Sequence, residues 1–309
     1  MQTLRVQLFG HLKVAAGSSS PVRFPTKKSR ALLAYVALKR ERRADRLTVA
    51  GDLWPESDED RAHRALNTEL WRLKTALRDS GADPAVYLDT DHETVGFRAG
   101  APVWCDVRVF DDATRSLAVL SERDGAPDRR FLVALAEAVA LYNGDLLEGV
   151  YDDWCLVHRE SYRARLVAAL EHLVQARMEA REWDEAIAFG QRLIAIDPLL
   201  EHVHRALMRC HYIKGNRPAA LKQFAACASA LRRDLRVEPM EETRQVYETM
   251  IALPGRAPPA PGVRVAPAGE VLSPSRTPIE KIDLALANLY AAQGWLEDAG
   301  RGLRNPATD

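Results

Sequence analysis

The sequence predicts an α+β unit over residues 1–100, an all-α unit of paired helices over 101–253, and a tail over 254–309. Three observations predict this. Short alternating runs, then three helical stretches, then a hairpin pattern fill the first hundred residues. From Val107 to Met250 the apolar spacing is helical throughout, with self-similarity at 34 residues. From Pro254 to Pro278 the chain is rich in Pro, Gly and Ala, the composition of an extended connector.

In the first unit, strands are expected at 4–9, 11–14 and 21–24, with "GSSSP" as turn material. Thr26 is placed to cap a helix running to about Arg40, with Leu32, Leu33, Val36 and Leu38 towards the core. Its first turn holds Lys27, Lys28 and Arg30, cations that oppose the helix dipole and so imply another use. A second helix covers Arg46–Leu53 and ends before Pro55. The acidic loop "ESDED" (56–60) leads into a third helix, which Asp58 or Asp60 can cap and Gly81 stops.

That third helix, "RAHRALNTELWRLKTALRDSG", carries Leu66, Leu70, Leu73 and Leu77 at i, i+4, i+7 and i+11, one narrow apolar stripe. The opposite face carries Arg61, Arg64, Thr68, Trp71, Arg72 and Thr75 and no acid. The runs "AVYLD" and "TVGFRA", joined by "TDHE", then read as a hairpin. Strands, three helices and a closing hairpin make a winged helix-turn-helix.

In the second unit, helices are expected near 107–119, 131–142, 156–180, 183–196, 199–214, 217–234 and 240–252. Leu173 aligns with Leu207, Ala186 with Ala220 and Ile187 with Leu221, and Pro198 closes the first pair. Thirty-four residues per helix pair is the tetratricopeptide period, and two units need flanking helices to complete a stack. A last amphipathic helix is expected at about 279–297, with Ile282, Leu286, Leu289 and Tyr290 on one side.

Net charge is zero but unevenly spread. The first 50 residues hold eleven Lys or Arg against Glu41 and Asp45, a net of +9 that suits a polyanion. No run is long enough to cross a bilayer, and "MQTLRVQLFG" lacks the pattern of a signal peptide, so a cytoplasmic protein is expected. Cys105, Cys155, Cys210 and Cys227 form no C-x-x-C pair and read as buried, reduced thiols. There is no phosphate-binding G-x-x-x-x-G-K-[ST] loop. His158, His172, His202, His204 and His211 read as surface or groove-lining residues, not metal ligands. No catalytic residue, metal or cofactor is expected.

In a winged helix-turn-helix the third helix enters the major groove of double-stranded DNA, and the hairpin lies against the backbone or minor groove. Arg64 and Arg72 then suit guanine, Thr68 and Thr75 thymine methyls, and Trp71 a methyl or sugar, with Arg61 on the same face. Asn67, Lys74 and Arg78 lie to one side and suit phosphates, as do Lys27, Lys28 and Arg30. The competing reading is a solvated basic face with Trp71 at an interface between domains.

"LFGHLKV", "SRALLAYVAL", "AGDLWP", "LNTELWRLKTAL", "LYNGDLLEGVYDDWCLVHRESYRARL", "WDEAIAFGQRLIAIDP", "GNRPAALKQFAACASALRRDLRVEP" and "ETRQVYETM" occur in one order. This set resembles the Streptomyces antibiotic regulatory protein (SARP) family, minimal two-domain type, over about residues 4–252. The resemblance implies an OmpR-like winged helix over 1–100 and a tetratricopeptide-like bacterial transcriptional activation domain over 101–253. It also implies a non-enzymatic activator that binds direct-repeat promoter sites as two protomers, recruits RNA polymerase and controls a biosynthetic gene cluster such as one for a secondary metabolite. Glu56, Asp58 and Glu59 become polymerase-contact candidates, because the corresponding loop of OmpR-like folds faces away from DNA. The helical domain is left as the seat of an unknown small-molecule or protein effector. The chain departs from the family at Arg236, where a Gly is usual and a different turn is expected, and at Trp71. A tetratricopeptide-type adaptor and a repressor with the same DNA-binding mode are the alternatives.

Overall fold

A computed structural model describes residues 2–17, 21–39, 43–120 and 128–252 of the chain, all within one compact unit, Met1–Ala257. The connector and last helix expected beyond residue 253 lie outside the described residues.

Two small three-stranded sheets frame the first part. In one, β1 (Leu4–Gln7) pairs antiparallel with β2 (Lys13–Ala16) and parallel with β6 (Val103–Cys105), Leu4 facing Ala16 on one side and Val103 on the other. In the other, β3 (Ala44–Asp45) and β4 (Leu88–Thr90) flank β5 (Thr94–Phe97). Three helices lie with them: α1 (Lys27–Leu38), α2 (Arg46–Leu53) and α3 (Glu59–Asp79).

The local signals act as expected at both long-helix starts. The Thr26 hydroxyl accepts from the Ser29 amide at 3.0 Å, and the Asp58 carboxylate accepts from the Arg61 amide at 2.8 Å. Gly81, at φ +81°, ends α3.

The strand expectations need four corrections. β1 stops at Gln7 because the amides of Leu8 and Phe9 donate to the buried Asp106 carboxylate, at 2.9 and 3.0 Å, in place of a strand partner. The second strand lies at 13–16, not 11–14, and residues 21–24 form none. There Pro21 and Pro25 flank the segment and lack amide donors, and Val22 alone reaches back, to the Val14 carbonyl at 2.8 Å. In the hairpin, Ala85–Tyr87 belong to a helical turn, α4 (Pro84–Tyr87), which Asp83 caps with Pro84 in its first turn.

Beyond β6 come α5 (Asp106–Leu120), α6 (Arg129–Leu141), α7 (Asp153–Glu179), α8 (Trp183–Ile196), α9 (Glu201–Ile213), α10 (Arg217–Asp234) and α11 (Glu241–Ala252). The α7–α8 and α9–α10 pairs are the two repeat units. Ala186 and Ala220, and Leu173 and Leu207, are buried in equivalent places. Their internal turns match bond for bond. The amides of Arg181 and Glu182 donate to the carbonyls of Met178 and Arg177, as those of Gly215 and Asn216 do to Tyr212 and His211.

Arg236 takes φ +59°, the left-handed conformation that glycine favours. All four cysteines are free and buried. His204 is buried instead of groove-lining: its Nε2 lies 3.1 Å from the Pro198 carbonyl and its Nδ1 2.6 Å from the Gln223 amide nitrogen. No described helix is long and apolar enough to cross a membrane.

One apolar core runs from Leu4 to Leu207 and joins the sheets to the helical stack. Phe9 sits among Phe110, Tyr142 and Tyr162, with ring centroids 5.3, 4.4 and 5.8 Å away. The Leu147 amide donates to the Leu8 carbonyl, and the Gly10 amide to that of Asp145. Tyr35 of α1 meets Trp154 of α7 edge to face at 5.2 Å. The helical stack is therefore packed directly onto the helix-turn-helix.

Candidate nucleic-acid interface

The buried side of α3 is Ala62, Leu66, Glu69, Leu70, Leu73, Ala76 and Leu77. Burying four leucines in one stripe fixes the rotation of the helix and so decides which residues face out. Arg64, Trp71 and Arg78 follow at i, i+7 and i+14 on the opposite side, all exposed, with Trp71 keeping 64% of its surface, so the seven-residue spacing puts Arg78 on this ridge and not to one side with Asn67 and Lys74. Among the described residues, the Trp71 side chain has no ring, cation–π or hydrogen-bond partner. Thr68 is exposed beside it, its hydroxyl donating to the Arg64 carbonyl at 3.1 Å, and Thr75 is half-buried. Arg61 is exposed and within 3.8 Å of Asp58.

Arg72, Asn67, Lys74 and Lys28 have partners within the chain. Arg72 Nη1 donates to Glu69 Oε1 at 2.6 Å. Asn67 accepts from the buried Arg46, whose other terminal nitrogen donates to the Asp91 carbonyl at 2.9 Å. Lys74 donates to the Thr90 hydroxyl at 2.8 Å. Arg46 and Lys74 thus pin the hairpin to α3, and Asn67 shares in that joint. Lys28 donates to Asp152 at 2.9 Å, an ion pair between α1 and the start of α7. Lys27 and Arg30 are exposed at the start of α1.

The hairpin tip is acidic. The Asp91 carboxylate accepts from the amides of Thr94 and Glu93, and Arg43 lies 2.8 Å away. The Thr94 and Glu93 bonds, then Arg43, hold its pKa down at about 2. Glu56, Asp58 and Glu59 are exposed between α2 and α3, with Asp58 engaged as the cap of α3.

Sequence reasoning missed Glu69, Arg46 and Asp152. Glu69 was readable as an acid three residues before Arg72, a spacing at which side chains meet on a helix. The contacts of Arg46 with Asn67 and of Asp152 with Lys28 span 21 and 124 residues and have no local signature.

Residues 105–251 match the bacterial transcriptional activator domain. Two curated relatives are both named transcriptional regulatory protein MoaR1, from Mycobacterium tuberculosis (strain ATCC 25618 / H37Rv) and Mycobacterium bovis (strain BCG / Pasteur 1173P2). Each is 27% identical over 230 residues, covering 73% of this chain and 72% of the relative. The solved structure of Mycobacterium tuberculosis EmbR in complex with a low affinity phosphopeptide shares the fold. Its TM-score is 0.62 at 20% identity, over 82% of this chain and 66% of that one. The chain therefore spans just under two thirds of that solved protein. A winged helix-turn-helix in front of a tetratricopeptide-like stack that matches the bacterial transcriptional activator domain, with transcriptional regulators as relatives, supports the resemblance to the SARP family of transcriptional regulators.

Proposed function

We propose that this regulator is a cytoplasmic, sequence-specific DNA-binding activator. It reads direct-repeat promoter sites as two head-to-tail protomers and recruits RNA polymerase, with no catalysis of its own. The observation that carries this reading is the exposed ridge Arg64–Trp71–Arg78 on α3, opposite a fully used leucine stripe. Arg64 is free to address a guanine edge, Trp71 a methyl or sugar, and Arg78 a phosphate. Thr68 and Thr75 flank them. Lys27 and Arg30 bring phosphate contacts from α1. The partners of Lys28, Asn67 and Lys74 make these three supports of the interface first and phosphate contacts second. The acids at the hairpin tip give the DNA-facing work to α3 and α1.

The loop carrying Glu56, Asp58 and Glu59 is the proposed polymerase contact, and a biosynthetic gene cluster the proposed target. An effector of the helical domain would enter the open cleft of about 550 Å³ where Phe224 and Tyr247 stack beside Arg232 and Arg233.

Selection of bound sequences from random DNA, followed by transcription with purified polymerase on the selected site, tests this. An enriched tandem motif and raised transcript levels are expected. Absence of any enriched motif overturns the DNA reading. Enrichment with reduced transcription converts the activator into a repressor.

A further inference from the structure

We propose that Glu69 is a positioning residue for base recognition. It aims the Arg72 guanidinium and ties it to the start of α1. The inference rests on α3 being the DNA-reading helix.

Glu69 is only 6% exposed. Its neighbours at i−7, i−3, i+4 and i+7 are Ala62, Leu66, Leu73 and Ala76, all buried. The fold there calls for another apolar residue, since burying a carboxylate costs free energy unless its oxygens are used. Both are used. Oε1 accepts from Arg72 Nη1 at 2.6 Å, and Oε2 accepts from the Thr26 hydroxyl at 2.6 Å. The same Thr26 oxygen caps α1, accepting from the Ser29 amide. One carboxylate thus links the capped end of α1, where Lys27 and Arg30 are exposed, to a guanidinium at the edge of the reading face.

Arg72 keeps 39% of its side-chain surface. Its Nε and Nη2 have no hydrogen-bond partner among the described residues. That leaves a two-donor edge of the guanidinium open, the geometry that matches O6 and N7 of guanine. The bond at Nη1 removes the rotations that a free arginine would lose on binding. The Glu69 charge also offsets that of Arg72 in the general attraction to phosphates. Arg72 therefore supplies discrimination between bases more than salt-dependent affinity.

The experiment uses the full chain, sequence selection from random DNA, salt titration of binding and thermal unfolding. The variants are Arg72→Ala, Glu69→Leu, Glu69→Gln and Thr26→Val. Arg72→Ala should lose discrimination at one base position by about ten- to a hundredfold. Glu69→Leu should lose it at that same position, while binding to unrelated DNA tightens and the salt slope steepens by about one counterion. Glu69→Gln keeps an acceptor for Arg72 and should retain most of the preference. Thr26→Val weakens the cap and the Glu69 bond but leaves the Arg72 pair, so it should lower the unfolding temperature with base preference intact.

A folded Glu69→Leu variant with unchanged preference at that position overturns the proposal. So does a uniform loss of affinity at all sequences that tracks lost stability. A wild-type chain that selects no sequence overturns the DNA-reading assignment and this proposal together. A selective wild type with an equally selective Glu69→Leu overturns this proposal alone.

Discussion

Arg181 and Gly215, one 34-residue repeat apart, hold the same left-handed backbone, with φ of +59° and +78°. A side chain at such φ crowds the neighbouring carbonyl, at a cost of about 1–2 kcal/mol, which glycine avoids. Arg181→Gly and Arg236→Gly, both at exposed positions, should therefore each stabilise the fold, by about 0.5–1 kcal/mol after the extra freedom of the unfolded chain is counted. Urea unfolding midpoints measure this. A lower midpoint for either variant would show that the arginine side chain contributes something the backbone argument omits.

Gly190 of α8 is a second backbone requirement of the stack. A Cβ built there would lie 2.7 Å from Cδ2 and 3.0 Å from Cγ of Leu207, which is buried in α9. Gly190→Ala should destabilise the chain by about 1–3 kcal/mol through overpacking. Adding Leu207→Ala should recover part of that loss, so the double variant falls short of the sum of the singles. Strict additivity in calorimetry would argue against the close approach.

The two faces of α3 should separate cleanly. Leu70→Ala, at a site 5% exposed, should cost about 2–5 kcal/mol of stability and weaken binding only through unfolding. Trp71→Ala, at 64% exposure, should leave stability within about 0.5 kcal/mol and weaken binding to the selected site. Parallel melting and gel-shift measurements decide it. Trp71→Ala that melts early but binds normally when folded would reverse the assignment.

Stability should fall on the acid side of neutrality. Burial lowers the pKa of His158, His172, His204 and His211 below the ordinary 6.5. The unfolded chain then takes up protons first. The stabilisation from each is complete above pH 6.5 and is lost as pH falls towards the lowered folded value, at no more than about 1.4 kcal/mol per pH unit for each group. Unfolding free energy measured from pH 7.5 down to 5.5 should drop. His204→Gln should flatten the slope without removing it, because three other histidines shift the same way. An unchanged slope would mean that His204 titrates normally in the folded chain.

What could be read from sequence was local or periodic. The Thr26 and Asp58 caps act within three residues, the leucine stripe of α3 follows from 3.6-residue spacing, and the paired helices follow from the 34-residue repeat. Trp71 and Arg64 were legible as outward-facing because the stripe leaves them no other side. What could not be read was tertiary. Asp106 ends β1 from 98 residues away, and Lys28 reaches Asp152 over 124. Ala85–Tyr87 was misread for another reason: Asp83–Pro84 is a helix-start signal, overlooked beside a run that looks like a strand. On the outward side of α3, the exposure of Arg64 and Trp71 was legible and the engagements of Arg72, Asn67 and Lys74 were not.

The parallel pairing of β6 with β1 has a mechanical consequence. The strand that opens the activator domain match at Cys105 is hydrogen-bonded to the strand that begins the chain, and Asp106 grips Leu8 and Phe9 beside it. Such a joint is a keyed shaft and not a tether. Once α3 is seated on a duplex, the azimuth at which α7–α11 project is already set. Two copies on neighbouring sites would then meet or miss according to helical phase. Contact would recur about every ten base pairs, and an insertion of about five would turn one body to the far side of the duplex, however close the sites remain.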